Sequence, residues 1–227
     1  MFIGHYGPAI YDVLRSNKIK LWQAFLAVQA MDIVFAILAL FGVEGGATVR
    51  DGALVFNIPW SHSFVSALVI AFLAAVIYRL IYRGDKGSAR GFWIIAGLAF
   101  SHWVLDLLVH RPDLPWYPGG TSFLGFSLWD FAWLSFGLEV ILLGAAVAWW
   151  LVKTTGPLWT MIVAWVFVAV LSVLHFGAIT RVTLDLQAGT LDFAAMPDGI
   201  ALSVTMFIFF FGAAGIIGWL ESKRSYN

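Results

Sequence analysis

The chain of 227 residues contains no cysteine. That excludes a disulfide framework, a thiolate metal site and a cysteine nucleophile, and leaves nitrogen and oxygen as the ligand atoms on offer. Charge is scarce too: 11% of residues are Asp, Glu, Lys or Arg, and thirteen basic side chains cancel thirteen acidic ones. With no net field to recruit a polyanion, no nucleic acid partner is expected. The sequence shows no internal repeat and no low-complexity segment. Its start, MFIGHYGPAIYDVLRSNK, lacks both a basic stretch ahead of its apolar part and a small-residue cleavage site, so it does not read as a removable signal peptide.

What fills the chain instead is apolar. Hydrophobic residues make up 61% and the mean hydropathy is +0.89, far above a soluble globular domain. Windows of about 20 apolar residues, the length needed to cross hydrocarbon, predict six spans near 20–43, 61–83, 91–110, 130–152, 157–181 and 197–220. The expected fold is an all-α integral membrane protein, a single bundle of about six transmembrane helices over residues 1–227. Longer connections at 44–60, 111–129 and 182–196 carry Gly, Pro and polar residues and are expected to fold over one face.

Lys and Arg set the orientation, because loops that stay in the cytoplasm keep positive charge. Arg15, Lys18, Lys20, Arg79, Arg83, Lys86, Arg90, Lys153, Lys223 and Arg224 fall on one side of the predicted spans, against Arg50, Arg111 and Arg181 on the other. Both termini are therefore expected in the cytoplasm and the three longer loops outside.

The stretch Ser101–His110, SHWVLDLLVH, breaks the apolar pattern. It places His102, Asp106 and His110 four residues apart, near one face of a helix. Each ionisable group at membrane depth costs at least ~2.5 kcal/mol unless paired, solvated or bound to a cation. At ~1.5 Å of rise per residue, Asp32, His62, His102, Asp106, Glu139 and His175 all fall between the outer surface and mid-depth. His5 joins them only if Met1–Leu14 re-enters the bilayer as a short helix, with Gly7 and Pro8 marking its start. The bland readings stand beside this. A lone His175 usually packs, Glu139 can bond across helices, His62 between two serines can sit at a helix cap, and His110, Arg111 and Asp113 read as a solvated rim. The tryptophans mostly mark interfaces, with Trp103 and Trp133 deeper.

Four motifs together, MFIGHYGPA, QAMDI with Asp32, PWSHSF with His62 and SHWVLDLLVHRPDLPWYPGG, resemble the bacterial inner-membrane family of metal-dependent hydrolases, the LexA-binding-protein-like group. The resemblance covers about residues 1–150. Its ligand order is also similar to that of zinc-dependent phospholipase C and related single-strand nucleases. The likeness implies metal ligands at His5, Asp32, His62, His102 and Asp106, with His110 in the place of the next. Those enzymes end their motif His-x-x-x-Glu, whereas Ser135 stands four residues before Glu139 here, so one or two ions are expected rather than three.

His and carboxylate ligands suit Zn²⁺ first, then Mn²⁺ or Fe²⁺. The expected function is hydrolysis of a phosphoester or ester in a lipid or other amphipathic substrate by a metal-activated water, with Asp32, Asp106 and Glu139 as candidate catalytic groups. The rival from another class is a metal-ion or proton transporter using the same cluster. A third is a non-catalytic bundle whose polar groups only knit helices or hold a structural metal.

Overall fold

The computed structural model describes residues 1–16, 18–45, 47–50, 53–85 and 87–227. The basic Lys86 lies outside the described residues. Helices dominate: α1 (Tyr6–Ser16), α2 (Leu21–Val28), α3 (Ala30–Leu40), α4 (Pro59–His62), α5 (Phe64–Ile81), α6 (Ser88–Val109), α7 (Ala132–Val152), α8 (Leu158–His175), α9 (Arg181–Gln187) and α10 (Gly199–Glu221). Among the described residues, five continuous helical stretches are long and apolar enough to cross a membrane, and the bent pair α2–α3 brings the total to six. This is an all-α membrane bundle.

Its surface follows the solvent it meets. Phe72, Ile77, Trp93, Trp133, Ile162, Val173 and Ile208 point outward from the long helices, an apolar exterior suited to lipid. The interior holds Ile10, Val13, Leu21, Phe25, Leu143, Val147 and Trp150, all buried in one continuous core. Trp103 is buried with Met31, Ala67 and Ile70 and donates its indole N–H to the His62 carbonyl at 3.0 Å.

The expected spans exist, but several are not single helices. The span drawn at 20–43 is broken at Gln29, where α2 and α3 meet at 54°. The span drawn from 61 starts as the separate short helix α4, with Pro59 at its first position, where a missing N–H costs nothing. The Glu44 carboxylate caps α4, accepting from the Trp60 and Ser61 amides at 2.5 and 3.0 Å. Ser63 then opens α5 by accepting from the Ser66 amide. The fifth span runs past its expected end: α8 passes through a π-helical segment, Phe176–Thr180, into α9. A π-turn inserts a residue and swings the following helix face.

The amino-terminal segment forms α1, inside the bundle against α2 and α7. Pro8 falls in its first turn, as the sequence suggested. At the opposite end from Arg15, the antiparallel hairpin of β1 (Ala47–Arg50) and β2 (Ala53–Phe56) and the chain of 110–130 close over the helices. The Arg111 guanidinium ties the two together, donating to Asp130 Oδ1 at 2.6 Å and to the Leu54 carbonyl at 3.0 Å. At the basic end, Arg224 is held by Thr154 Oγ1, Thr160 Oγ1 and two carbonyls, with Trp150 beneath it.

Candidate metal centre

Side chains of α4, of α6 with its C-cap, and of the segment ahead of α1 converge on Asp106, in the last turns of α6. Its Oδ2 lies 3.0 Å from His102 Nε2, 3.5 Å from His62 Nε2 and 3.9 Å from His110 Nε2. Its Oδ1 faces the other way, 3.2 Å from His5 Nε2 and in contact with the Met1 amino group. Asp32, in the first turn of α3, completes the Oδ2 side: its Oδ1 is 3.3 Å from His62 Nε2 and 3.6 Å from His102 Nε2. His5 and His102 stack face to face, ring centroids 3.7 Å apart.

Two sets of ligand atoms are close enough together to share an ion, His5–His102–Asp106 and Asp32–His62–His102. The fit to a cation rests on more than proximity. His102 Nε2 and both His5 nitrogens are buried without a hydrogen-bond partner, and two carboxylates lie among them.

The far nitrogens of three histidines are already committed. His102 Nδ1 sits 2.6 Å from the Val28 carbonyl, His62 Nδ1 2.7 Å from Ser61 Oγ and His110 Nδ1 3.0 Å from Asp113 Oδ1. Metal-binding histidines are oriented in this way by carbonyl or carboxylate partners. Asp113 serves twice, because its Oδ2 accepts the Phe56 amide at 2.9 Å and so pins the hairpin over His110.

The structure thus brings together His5, Asp32, His62, His102, Asp106 and His110. The solvated-rim reading of His110, Arg111 and Asp113 is overturned, since all three are buried beneath the hairpin and Trp129. Asp32 is the only member with appreciable exposure, its side chain 15% accessible, so the centre opens on the α3 side. Glu139 stands apart. Its Oε2 accepts the amides of Phe2, Ile3 and Gly4 at 2.7, 3.0 and 3.1 Å, and its Oε1 is 3.7 Å from His175 Nε2. His175 therefore belongs with Glu139 and not with Asp106.

Sequence reasoning missed Ser61, the Val28 carbonyl and Glu44 as supports. Ser61 was in view as a neighbour of His62. Glu44 gave no signal, lying in a loop sixteen residues from the helix it caps.

Fold and centre define a class: an all-α membrane bundle with a buried His/Asp cluster able to hold a metal ion. No family model matches the chain, and neither a curated protein nor a solved structure matches it.

Proposed function

We propose that the chain is a membrane-embedded, metal-dependent hydrolase of phosphoester or ester bonds in a lipid or lipid-like substrate, as the motif resemblance also implies. The observation that carries the reading is the convergence of imidazole and carboxylate atoms on Asp106, with three histidines fixed from behind, inside an apolar bundle.

Zn²⁺ is the ion this nitrogen and oxygen set suits best, held by Asp32, His62, His102 and Asp106, with His5 and Asp106 Oδ1 offering a second position. A divalent cation bound there supplies Lewis acidity and makes water acidic enough to attack near neutral pH. The chain's own groups do the rest. Asp32, on the accessible edge, is placed to take a proton from an entering water. Asp106, at the centre, fixes the three facing histidines. The apolar walls keep bulk water out and admit an amphipathic chain from the side.

The transporter reading finds less support. Between the cluster and the basic end, the interior is filled by Ile10, Val13, Leu21, Phe25, Val147 and Trp150, each no more than 1% exposed. A through-path needs polar groups along that length.

The test is hydrolysis of fluorogenic phosphodiester and carboxylic ester lipids by detergent-purified protein. Stripping the metal, His102→Ala and Asp106→Ala are each expected to abolish turnover while far-ultraviolet circular dichroism stays helical. Full activity in any of the three sinks the proposal. The orientation expected from the basic residues, with the centre towards the outer leaflet of a bacterial inner membrane, belongs to the same reading.

A further inference from the structure

Glu139 is fully buried in α7, and its oxygens face the amides of segment 2–4 and His175 instead of Asp106 or Asp32. One oxygen collects three consecutive backbone N–H groups, from Phe2, Ile3 and Gly4. Three amides converging on one carboxylate oxygen form an anion nest, here just ahead of the amino end of α1 and added to by the dipole of that helix. The next residue in the chain is His5.

Other contacts hold the same segment. Phe2 stacks on His175, whose other face lies against Phe136, and the Phe2 carbonyl lies 3.5 Å from Gln29 Nε2 at the break between α2 and α3. The fit at Gly4 is close: a Cβ there would come within 2.7 Å of Met1 Sδ and 3.3 Å of Glu139 Cγ. His5 itself has no partner for Nδ1 and none besides Asp106 for Nε2. The His102 stack and Asp106 Oδ1 are the supports of its ring, so its position also depends on the backbone before it.

We infer that Glu139 is a positioning residue that anchors segment 1–4 and thereby presents His5 to Asp106, and not a group that touches substrate. The inference rests on reading the centre as a metal site. Removing the anchor lets the segment move, which weakens the ion position built from His5, His102 and Asp106. The position built from Asp32, His62 and His102 keeps all its ligands, because none of them is attached to the segment.

The experiment uses the full chain in detergent, stripped and then titrated with Zn²⁺ alone against a chromogenic chelator. Bound metal is counted by elemental analysis, and amide hydrogen exchange of residues 2–4 is followed in the metal-free protein. Glu139→Ala is expected to weaken one class of Zn²⁺ binding by at least about tenfold, the scale for lost outer support of a ligand. It should leave the other class intact and accelerate exchange of the three amides. Glu139→Gln, which keeps one acceptor oxygen, is expected to fall between. Gly4→Val, which crowds both Met1 Sδ and Glu139 Cγ and so displaces segment 1–4 while the carboxylate itself is kept, should resemble Glu139→Ala, and His5→Ala should lose the same class of site without altering Glu139.

Unchanged binding in Glu139→Ala, or unchanged exchange of the amides, overturns the inference. If Glu139→Ala does not fold, Gly4→Val and Glu139→Gln decide by the same readings. A wild-type protein that binds no Zn²⁺ refutes the metal reading, while the exchange rates still judge the anchor.

Discussion

At the scale of single residues, the centre is built as much from what stands behind the histidines as from the histidines themselves. An imidazole has two nitrogens, and a ligand that can spin offers either one. Asp113 on His110 and Ser61 on His62 remove that choice. Ser61→Ala, behind the ligand His62, is expected to lower Zn²⁺ affinity by about tenfold, the size seen for outer partners of metal ligands, with chelator competition as the measurement. Wild-type affinity would show that this contact does not matter to binding. His102 and Asp106 were legible from spacing alone, because four residues on a helix bring two side chains to one face. The burial of His110 was not. Its place near a predicted helix end suggested water, and only the return of the 110–130 chain beneath the hairpin keeps water away.

Among elements, the long helix α6 gives the site its centre and the short helices bring the other ligands to it. α4 is a single turn, too short to persist without help, and its help is the Glu44 carboxylate on the Trp60 and Ser61 amides. Glu44→Ala is expected to cost about 1 kcal/mol, as loss of a helix cap does, seen as a lowered thermal midpoint. Because His62 ends this turn, the same variant should also weaken Zn²⁺ binding. Long spans were legible because an apolar run of that length has few other fates. The breaks at Gln29 and after His175 were not, since neither holds a proline; each depends on contacts made by distant parts of the chain. The hairpin strands of four residues each were hidden for another reason: strands that short leave little alternation to read.

Taken whole, the molecule is apolar both in its core and on its outward face, with a cluster of ionisable groups buried within it. Two carboxylates facing one another through four histidines are a burden on the folded state until a cation joins them. Binding to the folded form alone stabilises it by mass action. Free Zn²⁺ at a hundred times its dissociation constant is expected to add about 2.7 kcal/mol, read as a rise in thermal midpoint. The rise should vanish in Asp106→Ala, and an equal rise in that variant would place the stabilising ion elsewhere.

The break at Gln29 has a further effect at that centre. In an unbroken helix the Val28 carbonyl would be taken by the Asp32 amide four residues on. Parting α2 from α3 frees that oxygen, and His102 Nδ1 reaches it at 2.6 Å. The carbonyl can only accept, so the ring carries a proton on Nδ1, and in its neutral form the Nε2 lone pair is bare. A bend in the main chain thus selects the tautomer of a side chain seventy-four residues away, and the same bend turns Asp32 towards the nitrogen it has exposed.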